Sequence, residues 1–220
     1  MTPSGERPRF VPRDLLTFGT AYWYLLVLCV LWYAVILAFR STFSIKYFQH
    51  AHGLDLATAG AMNSYVFLAA MFATPAFGWI CDRLGRYAPM LAFGALLLPI
   101  AVLIMATTTW SLWIATVLIG VSYSLVPAVM WPLLSKLVKP NQFGTALGLM
   151  WVVQNAGIAA GNLVAGHLND AAGASVTNPA GYQPMMAFFG MTSALGCLFA
   201  LLLWHRAGRR EHEASVHQPA

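Results

Sequence analysis

The sequence has few charges and few cysteines for its length. Charged residues make up 9% of the 220 residues, whereas soluble domains carry roughly 25%. Hydrophobic residues make up 59%, which excludes an ordinary water-soluble domain. The three cysteines, Cys29, Cys81 and Cys197, are far apart, and this spacing excludes a disulfide framework or a zinc site. The composition therefore predicts a membrane protein that holds no metal and no other cofactor.

Residue patterns that would indicate an enzyme are also missing. The sequence contains no Ser/His/Asp or Cys/His set, no His-Glu-x-x-His pair and no phosphate-binding loop at usable spacing. The net charge of +5 comes from short clusters between apolar runs and not from one continuous basic surface. We therefore expect no catalytic residues and no nucleic-acid partner.

Six apolar runs, each long enough to cross a bilayer as a helix, occupy most of the chain. Because lipid cannot satisfy exposed backbone groups, these runs predict an all-α membrane protein built as a bundle of six transmembrane helices. The predicted spans, numbered 1 to 6 in chain order, are 20–39, 57–80, 88–106, 110–134, 143–166 and 185–204. We expect the helix of span 1 to continue past Arg40 toward Phe48.

Basic residues lie mainly on one side of these spans. Ten of the twelve are on that side, namely Arg7, Arg9, Arg13, Arg83, Arg86, Lys136, Lys139, Arg206, Arg209 and Arg210, and only Arg40 and Lys46 are on the other. By the positive-inside rule the basic side faces the cytoplasm. We predict a multi-pass protein of the plasma (inner) membrane, in contact with lipid. It has a cytoplasmic N-terminal segment, 1–19, a transmembrane domain, 20–204, and a cytoplasmic tail, 205–220.

The loop between spans 2 and 3 combines glycines with charged residues. Gly78 is expected at a helix end, and Asp82 can accept hydrogen bonds from a helix N-terminus or pair with a loop arginine. Arg83 and Arg86 can donate to carbonyl groups at helix ends, which would make a latch for one arrangement of helices. Gly78, Asp82, Arg83, Gly85 and Arg86 match the cytoplasmic loop signature of the major facilitator superfamily, which the chain resembles. Tyr87 departs from the signature, where a basic residue follows.

This resemblance runs from about Trp32 to Trp204. Within the superfamily it points to the C-terminal half of the branch that contains the lysosomal dipeptide uniporters of animals. Span 4 from Gly120 to Pro132 is similar to the tenth helix of that branch, and 143–148 with Gln154 and Asn155 is similar to the eleventh. Members have twelve spans in two six-helix repeats, with the solute site between them. The resemblance therefore implies one repeat, or half, of the major facilitator fold, and a transporter.

One repeat alone would leave the solute site open on one side. Two copies inserted in the same orientation would restore it, so we expect a parallel homodimer that works by alternating access. On span 5, Gly144 with Gly148 and Gly157 with Gly161 form two small-x-x-x-small pairs, the candidate dimer interface. The alternative for these glycines is packing inside one protomer. The alternative for the whole chain is a non-transporting or heterodimerising membrane subunit that pairs with another six-helix half.

Polar side chains inside spans face a cavity or a neighbouring helix by default. Arg40 is the candidate for binding a substrate carboxylate, and the alternative is an interfacial arginine that reaches lipid headgroups. The other candidate substrate-binding residues are Tyr33, Asn63, Tyr123, Trp131, Gln154 and Asn155. All seven acids lie at span ends, in loops or in tails. Their position favours an uncoupled uniporter for a small polar solute such as a dipeptide or an organic anion.

Overall fold

In the computed structural model the described residues are 17–107 and 112–216, with side chains described as far as Arg206. These residues form helices joined by short connections, with no β-strand among them. Six helices are long and apolar enough to cross a membrane, which confirms the predicted six-span bundle. The residues before 17, the predicted start of span 4 at 110–111 and the side chains of Arg209 and Arg210 lie outside the described part.

The observed spans are longer than the predicted ones. Span 1, Thr20–His52, consists of an α-helix, Thr20–Ala38, a π-helix, Phe39–Phe43, and a second α-helix, Ser44–His52. The helices of spans 2 to 6 are Leu56–Leu84, Tyr87–Thr107, Leu112–Leu137, Phe143–Ala171 and Gln183–Val216. Short 3₁₀ turns, Pro140–Gln142 and Pro179–Tyr182, precede spans 5 and 6. The helix of span 6 continues beyond the predicted end at 204 to Val216. The prediction was too short because hydropathy marks only the apolar part of a helix.

Capping residues explain where span 2 begins and ends. The Asp55 carboxylate accepts a hydrogen bond from the Thr58 backbone N–H at 3.0 Å and so caps the first turn. Hydrogen bonds from Thr58, first from its side chain and then from its backbone, lower the pKa of Asp55. The helix ends at Gly85, whose φ of 65° favours glycine.

Spans 1 and 4 lie side by side at the centre of one face of the bundle. Span 4 packs against spans 2 and 3, span 1 packs against spans 5 and 6, and span 3 packs against span 6. Spans 3 and 6 therefore form the back. Spans 2 and 5 flank spans 1 and 4 on the opposite side, which we call the open face. Of the most apolar 18 residues of span 1, 67% are buried in the bundle, whereas the corresponding share is 17% in each of spans 2 and 5.

A relay of hydrogen bonds joins spans 1, 4 and 3 in the core. The Trp32 indole donates to Ser122 Oγ at 3.1 Å, and the Ser122 hydroxyl donates to the Gly94 carbonyl at 2.8 Å. Trp32, Ser122 and Gly94 are all buried. Because lipid tails are as apolar as the side chains, hydrogen bonds and close packing are what hold helices in register inside a membrane.

Span 5 approaches span 1 most closely at two of its four predicted interface glycines. A Cβ atom added to Gly157 would lie 2.6 Å from Cγ1 of Val30, and one added to Gly161 would collide with the Ala34 carbonyl oxygen. Only glycine fits at such a contact. Gly144 and Gly148 are exposed, and a Cβ added to Gly148 would meet no described atom of another helix within 4 Å. Gly157 and Gly161 therefore pack inside the chain, while Gly144 and Gly148 stay open.

Candidate functional site

Arg40 lies in the π-helical segment of span 1 and faces span 2. Its Nη2 donates to the backbone carbonyl of Asn63, and Asn63 Nδ2 donates back to the Arg40 carbonyl at 3.2 Å. The Ser44 hydroxyl donates to the same carbonyl at 3.0 Å. Side chains commonly satisfy backbone groups that an irregular helix frees inside a membrane. Arg40 is 3% exposed, so its guanidinium is held in the bundle and does not reach toward lipid headgroups.

Two aromatic rings cover the Arg40 guanidinium. Its Cζ atom lies 3.8 Å from the ring centre of Phe67 and 5.2 Å from that of Tyr123, distances at which a cation is attracted to a ring face. Nη1 is buried and has no hydrogen-bond partner. No carboxylate of a described residue pairs with the guanidinium. The arrangement is a buried cation with one unpaired donor nitrogen, which is suited to bind an anion.

The space beside Arg40 is small in this conformation. A cavity of about 10 Å³ is bordered by Arg40, Asn63, Thr116 and their neighbours. That volume holds about one water molecule. A solute such as a dipeptide would need the helices around Arg40 to separate before it could reach the guanidinium.

A row of aromatic rings continues from Arg40 through the bundle toward the end that carries the loop between spans 2 and 3. The rings are, in order, Tyr123, Trp32, Tyr33, Trp131 and Trp151. Tyr123 stacks on Trp32 at 6.2 Å, and Trp32 meets Tyr33 edge to face at 4.8 Å. The Tyr33 hydroxyl lies close to the Trp131 side chain. The ring of Trp131 in turn stacks on Trp151 at 5.7 Å. The row brings aromatic side chains of spans 1, 4 and 5 close together.

Two of the predicted polar residues are not brought to Arg40. Gln154 is buried, and its Oε1 accepts a hydrogen bond from the Cys29 thiol at 3.4 Å. Asn155 is exposed, and its Nδ2 donates to the Trp151 carbonyl of the same helix at 2.8 Å. Of the predicted set, Asn63 and Tyr123 contact Arg40 directly, while Tyr33 and Trp131 belong to the aromatic row.

The sequence reasoning did not include Phe67 and Trp151 among the site residues. Phe67 lies one helical turn after Asn63, and Trp151 lies one turn before Asn155. Residues four apart share a helix face. A search for aromatic residues one turn from each intramembrane asparagine would have found both.

The loop between spans 2 and 3 makes different contacts from those expected of Asp82. The Tyr87 hydroxyl donates to Asp82 Oδ1 at 2.6 Å. The ammonium of Lys136, at the end of span 4, lies 3.7 Å from the centre of the Tyr87 ring. The residue that departs from the family signature therefore connects the acid of the loop with a basic residue from another span.

The remaining signature residues are placed as follows. Gly78 lies inside the helix of span 2, which ends at Gly85, so the expectation of a helix end at Gly78 is corrected. The α-helix is continuous through Gly78 as far as Leu84, since a glycine inside a helix keeps its backbone hydrogen bonds. Arg83 lies over the Trp79 ring at 5.2 Å instead of donating to a helix end, and Arg86 is exposed.

Comparison with known proteins gives one family. Residues 24–219 match the family described as Major Facilitator Superfamily. The chain is 30% identical over 191 residues to the lysosomal dipeptide transporter MFSD1 of Danio rerio and 29% identical over 191 residues to that of Homo sapiens. It is 29% identical over 194 residues to that of Gallus gallus. Each alignment covers 87% of this chain, but the chain spans only about two fifths of each relative, 39% to 41%.

Proposed function

Because the chain belongs to the major facilitator superfamily, we propose that it is one six-helix half of a carrier for small polar solutes that bear a carboxylate. It works by alternating access together with a second six-helix half. The family places the chain among transporters and not among enzymes. The leading solute class is the dipeptide, the substrate in the names of the relatives, and small organic anions are the second.

The observation that carries this proposal is the incompletely paired Arg40 guanidinium. A buried cation without an anion costs several kcal/mol in the free protein, on the order of magnitude known for unpaired buried charges. A carboxylate that binds Nη1 would remove that cost when the solute is present. When no solute is bound, the Asn63 carbonyl and the Tyr123 ring hold the Arg40 guanidinium. The solute then competes with the Asn63 carbonyl for the N–H groups of Arg40.

The second half in this proposal is another copy of the chain. Spans 2 and 5 flank the open face and bury only 17% of their most apolar residues each, so both have surface available for a partner. Gly144 and Gly148 are exposed and have no side chain, which would allow a helix of the partner to approach span 5 closely. A parallel homodimer would cover the open face and place two Arg40 residues at one central site.

Transport in this proposal is facilitated diffusion and is not coupled to an ion. The described acidic side chains, Asp55, Asp82 and Asp170, are all exposed and lie at span ends. Carriers that couple to protons or sodium usually use an acid or coordinating cluster at membrane depth. The basic residues at the end that carries Asp82 favour a cytoplasmic position for that end, in the plasma (inner) membrane.

The test of function is solute exchange in proteoliposomes. The purified full chain, loaded with an unlabelled dipeptide, should take up the labelled dipeptide by counterflow without an imposed ion gradient. Arg40→Ala should reduce uptake at least tenfold, since a charge-assisted hydrogen bond contributes about 1.5–3 kcal/mol. Arg40→Lys keeps the charge and loses the fork-shaped donor set, so it should retain intermediate activity.

Two results would overturn this proposal. One is uptake of anionic solutes at the wild-type rate by Arg40→Ala. The other is the absence of exchange for every dipeptide and organic anion by wild-type protein that is folded and oriented. Accumulation driven by a proton gradient would reject uncoupled transport alone.

The homodimer is tested separately by native mass spectrometry of protein released from membranes. We expect twice the mass of the chain, and loss of that species in Gly148→Leu because the leucine fills the exposed surface of span 5. A monomer under all conditions contradicts the homodimer. A second six-helix chain of different mass would instead support the heterodimerising subunit.

A further inference from the structure

Trp131 of span 4 and Trp151 of span 5 form a stacked pair that helix packing alone does not require. Their ring centres are 5.7 Å apart and the ring planes differ by 12°. Spans 4 and 5 otherwise make little contact, since each packs mainly on other helices. The Trp151 side chain remains 51% exposed. Two large rings are thus held together across the open face, and one of them presents a free surface.

The chemistry of this pair favours a positively charged ligand group. Indole faces attract cations more strongly than the other aromatic side chains do, through the negative potential above the ring. Asn155, one turn from Trp151, donates its Nδ2 to the Trp151 carbonyl, which leaves its Oδ1 available as an acceptor. The Tyr33 hydroxyl lies close to the Trp131 side chain. The pair therefore combines an ordered aromatic surface with an amide oxygen.

No described acid is placed to do the same work. Asp55 caps the start of span 2, and Asp82 and Asp170 lie in the last turns of spans 2 and 5, where all three are exposed. A zwitterionic solute whose carboxylate is bound by Arg40 still has an ammonium group that must leave water. Aromatic faces and amide oxygens are the groups that remain on the open face for it.

The spacing along span 1 fits a short peptide. Arg40 and Tyr33 are seven residues apart, which corresponds to about 10 Å along a helix. An extended peptide of two to three residues spans about 7–10 Å. Since Tyr33 lies close to Trp131, the aromatic pair lies about one short peptide away from the Arg40 position.

We propose that the Trp131–Trp151 pair, with Asn155, binds the ammonium group of a zwitterionic solute whose carboxylate is bound by Arg40. This assignment rests on the proposed carrier function. It adds that selection for a free amine is made by aromatic rings instead of an acidic side chain. Trp131 and Trp151 are thus specificity-determining residues.

The experiment compares a free dipeptide with its N-acetylated form by isothermal calorimetry on the purified full chain. Wild-type protein should bind Ala-Ala more tightly than N-acetyl-Ala-Ala. Trp151→Leu keeps an apolar side chain but removes the ring, and it should weaken Ala-Ala binding roughly tenfold, the effect of about 1.4 kcal/mol, while leaving N-acetyl-Ala-Ala unchanged. Trp151→Phe should lie between the two proteins. Trp204→Leu, at a tryptophan of similar exposure, 47%, is the matched control and should change neither affinity.

Each other outcome decides between the two proposals. Equal wild-type affinity for the free and acetylated dipeptides, or equal weakening of both by Trp151→Leu, overturns the ammonium site and leaves the carrier proposal standing. Binding of neither ligand by folded wild-type protein rejects the dipeptide carrier, and the ammonium site with it. Asn155→Leu is the second variant, and it should lower affinity for Ala-Ala alone even if Trp151→Leu does not fold.

Discussion

Spans 1 and 5 pack against each other but differ in almost every other respect. Span 1 has a mean hydropathy of 2.2 and is 67% buried, whereas span 5 has a mean hydropathy of 1.3 and is 17% buried. Span 1 buries large side chains, such as Trp32 and Tyr33, in the core. Where spans 1 and 5 meet, span 5 contributes the glycines Gly157 and Gly161. The difference shows that the more apolar helix is the central one, while the less apolar helix contributes surface for contacts on two sides.

The two glycine pairs of span 5 also differ in their surroundings. Gly157 and Gly161 face Val30 and Ala34 of span 1. Gly144 and Gly148 are exposed, and a Cβ added to Gly148 would meet no described atom of another helix within 4 Å. The same spacing of small residues therefore supports contact inside the chain at one end and leaves an open surface at the other. A small-x-x-x-small pair marks a place of close approach, but it does not identify the partner.

The largest expected effect is at the contact between spans 1 and 5. Gly161→Leu should destabilise the fold by about 3 kcal/mol or more, because the added side chain must displace the backbone of Ala34. The measurement is the free energy of unfolding of the monomer in detergent, by denaturant titration. Gly148→Leu is the matched control and should change that free energy by less than about 0.5 kcal/mol. Equal destabilisation by the two substitutions would contradict the distinction between the two glycine pairs.

A smaller effect is expected inside the core at Trp32. Trp32→Phe removes the donor to Ser122 Oγ and leaves the hydroxyl of Ser122 bonded to the Gly94 carbonyl. The lost hydrogen bond contributes about 0.6–1.7 kcal/mol inside a membrane, and the smaller ring adds a cavity. The change in unfolding temperature would be measured by light scattering during heating, a signal that does not depend on tryptophan fluorescence. Trp23→Phe, at a residue 38% exposed, should have no comparable effect. A larger loss at Trp23 than at Trp32 would contradict the relay.

The smallest effect is expected at the exposed start of span 2. Hydrogen bonds from Thr58 lower the pKa of Asp55 below its ordinary value of 3.8, so the ionised cap stabilises the folded state above that value. The contribution is lost as the pH falls through the folded-state pKa. Asp55→Asn keeps a capping side chain that does not titrate. The difference in thermal stability between wild type and Asp55→Asn should therefore change only at acidic pH. A constant difference from pH 3 to pH 7 would contradict the assigned hydrogen bonds.

Hydropathy was sufficient to predict the six spans, because each helix must satisfy its backbone and present apolar side chains to lipid. It did not predict which spans are central. Span 1 and span 2 are both apolar runs, and only the contact of span 1 with spans 5 and 6 separates them. The ends of span 6 and span 2 were also placed too short, since polar residues continue these helices beyond the apolar part.

Site residues could be predicted from the sequence when their side chain is rare inside membrane spans, but not when it is common there. Arg40 was identified because a guanidinium inside a span is costly. Phe67 was not, because a phenylalanine in a span has no such cost, although its ring lies 3.8 Å from Arg40. The contact of Tyr87 with Lys136 depends on the packing of span 3 against span 4, which the spacing of residues along the chain does not encode.

The π-helix at Phe39–Phe43 changes the phase of span 1. An α-helix turns about 100° per residue, and one extra residue in a turn rotates everything after it by that amount relative to a regular helix. Tyr47 and Phe48, which follow the π-helix, are buried, as is Arg40 within it. Deletion of a single residue between 39 and 43 would therefore rotate the following part of span 1 by about 100° about the helix axis. It would leave the membrane span intact in length and turn Tyr47 away from the Met105 carbonyl, to which its hydroxyl donates at 2.8 Å.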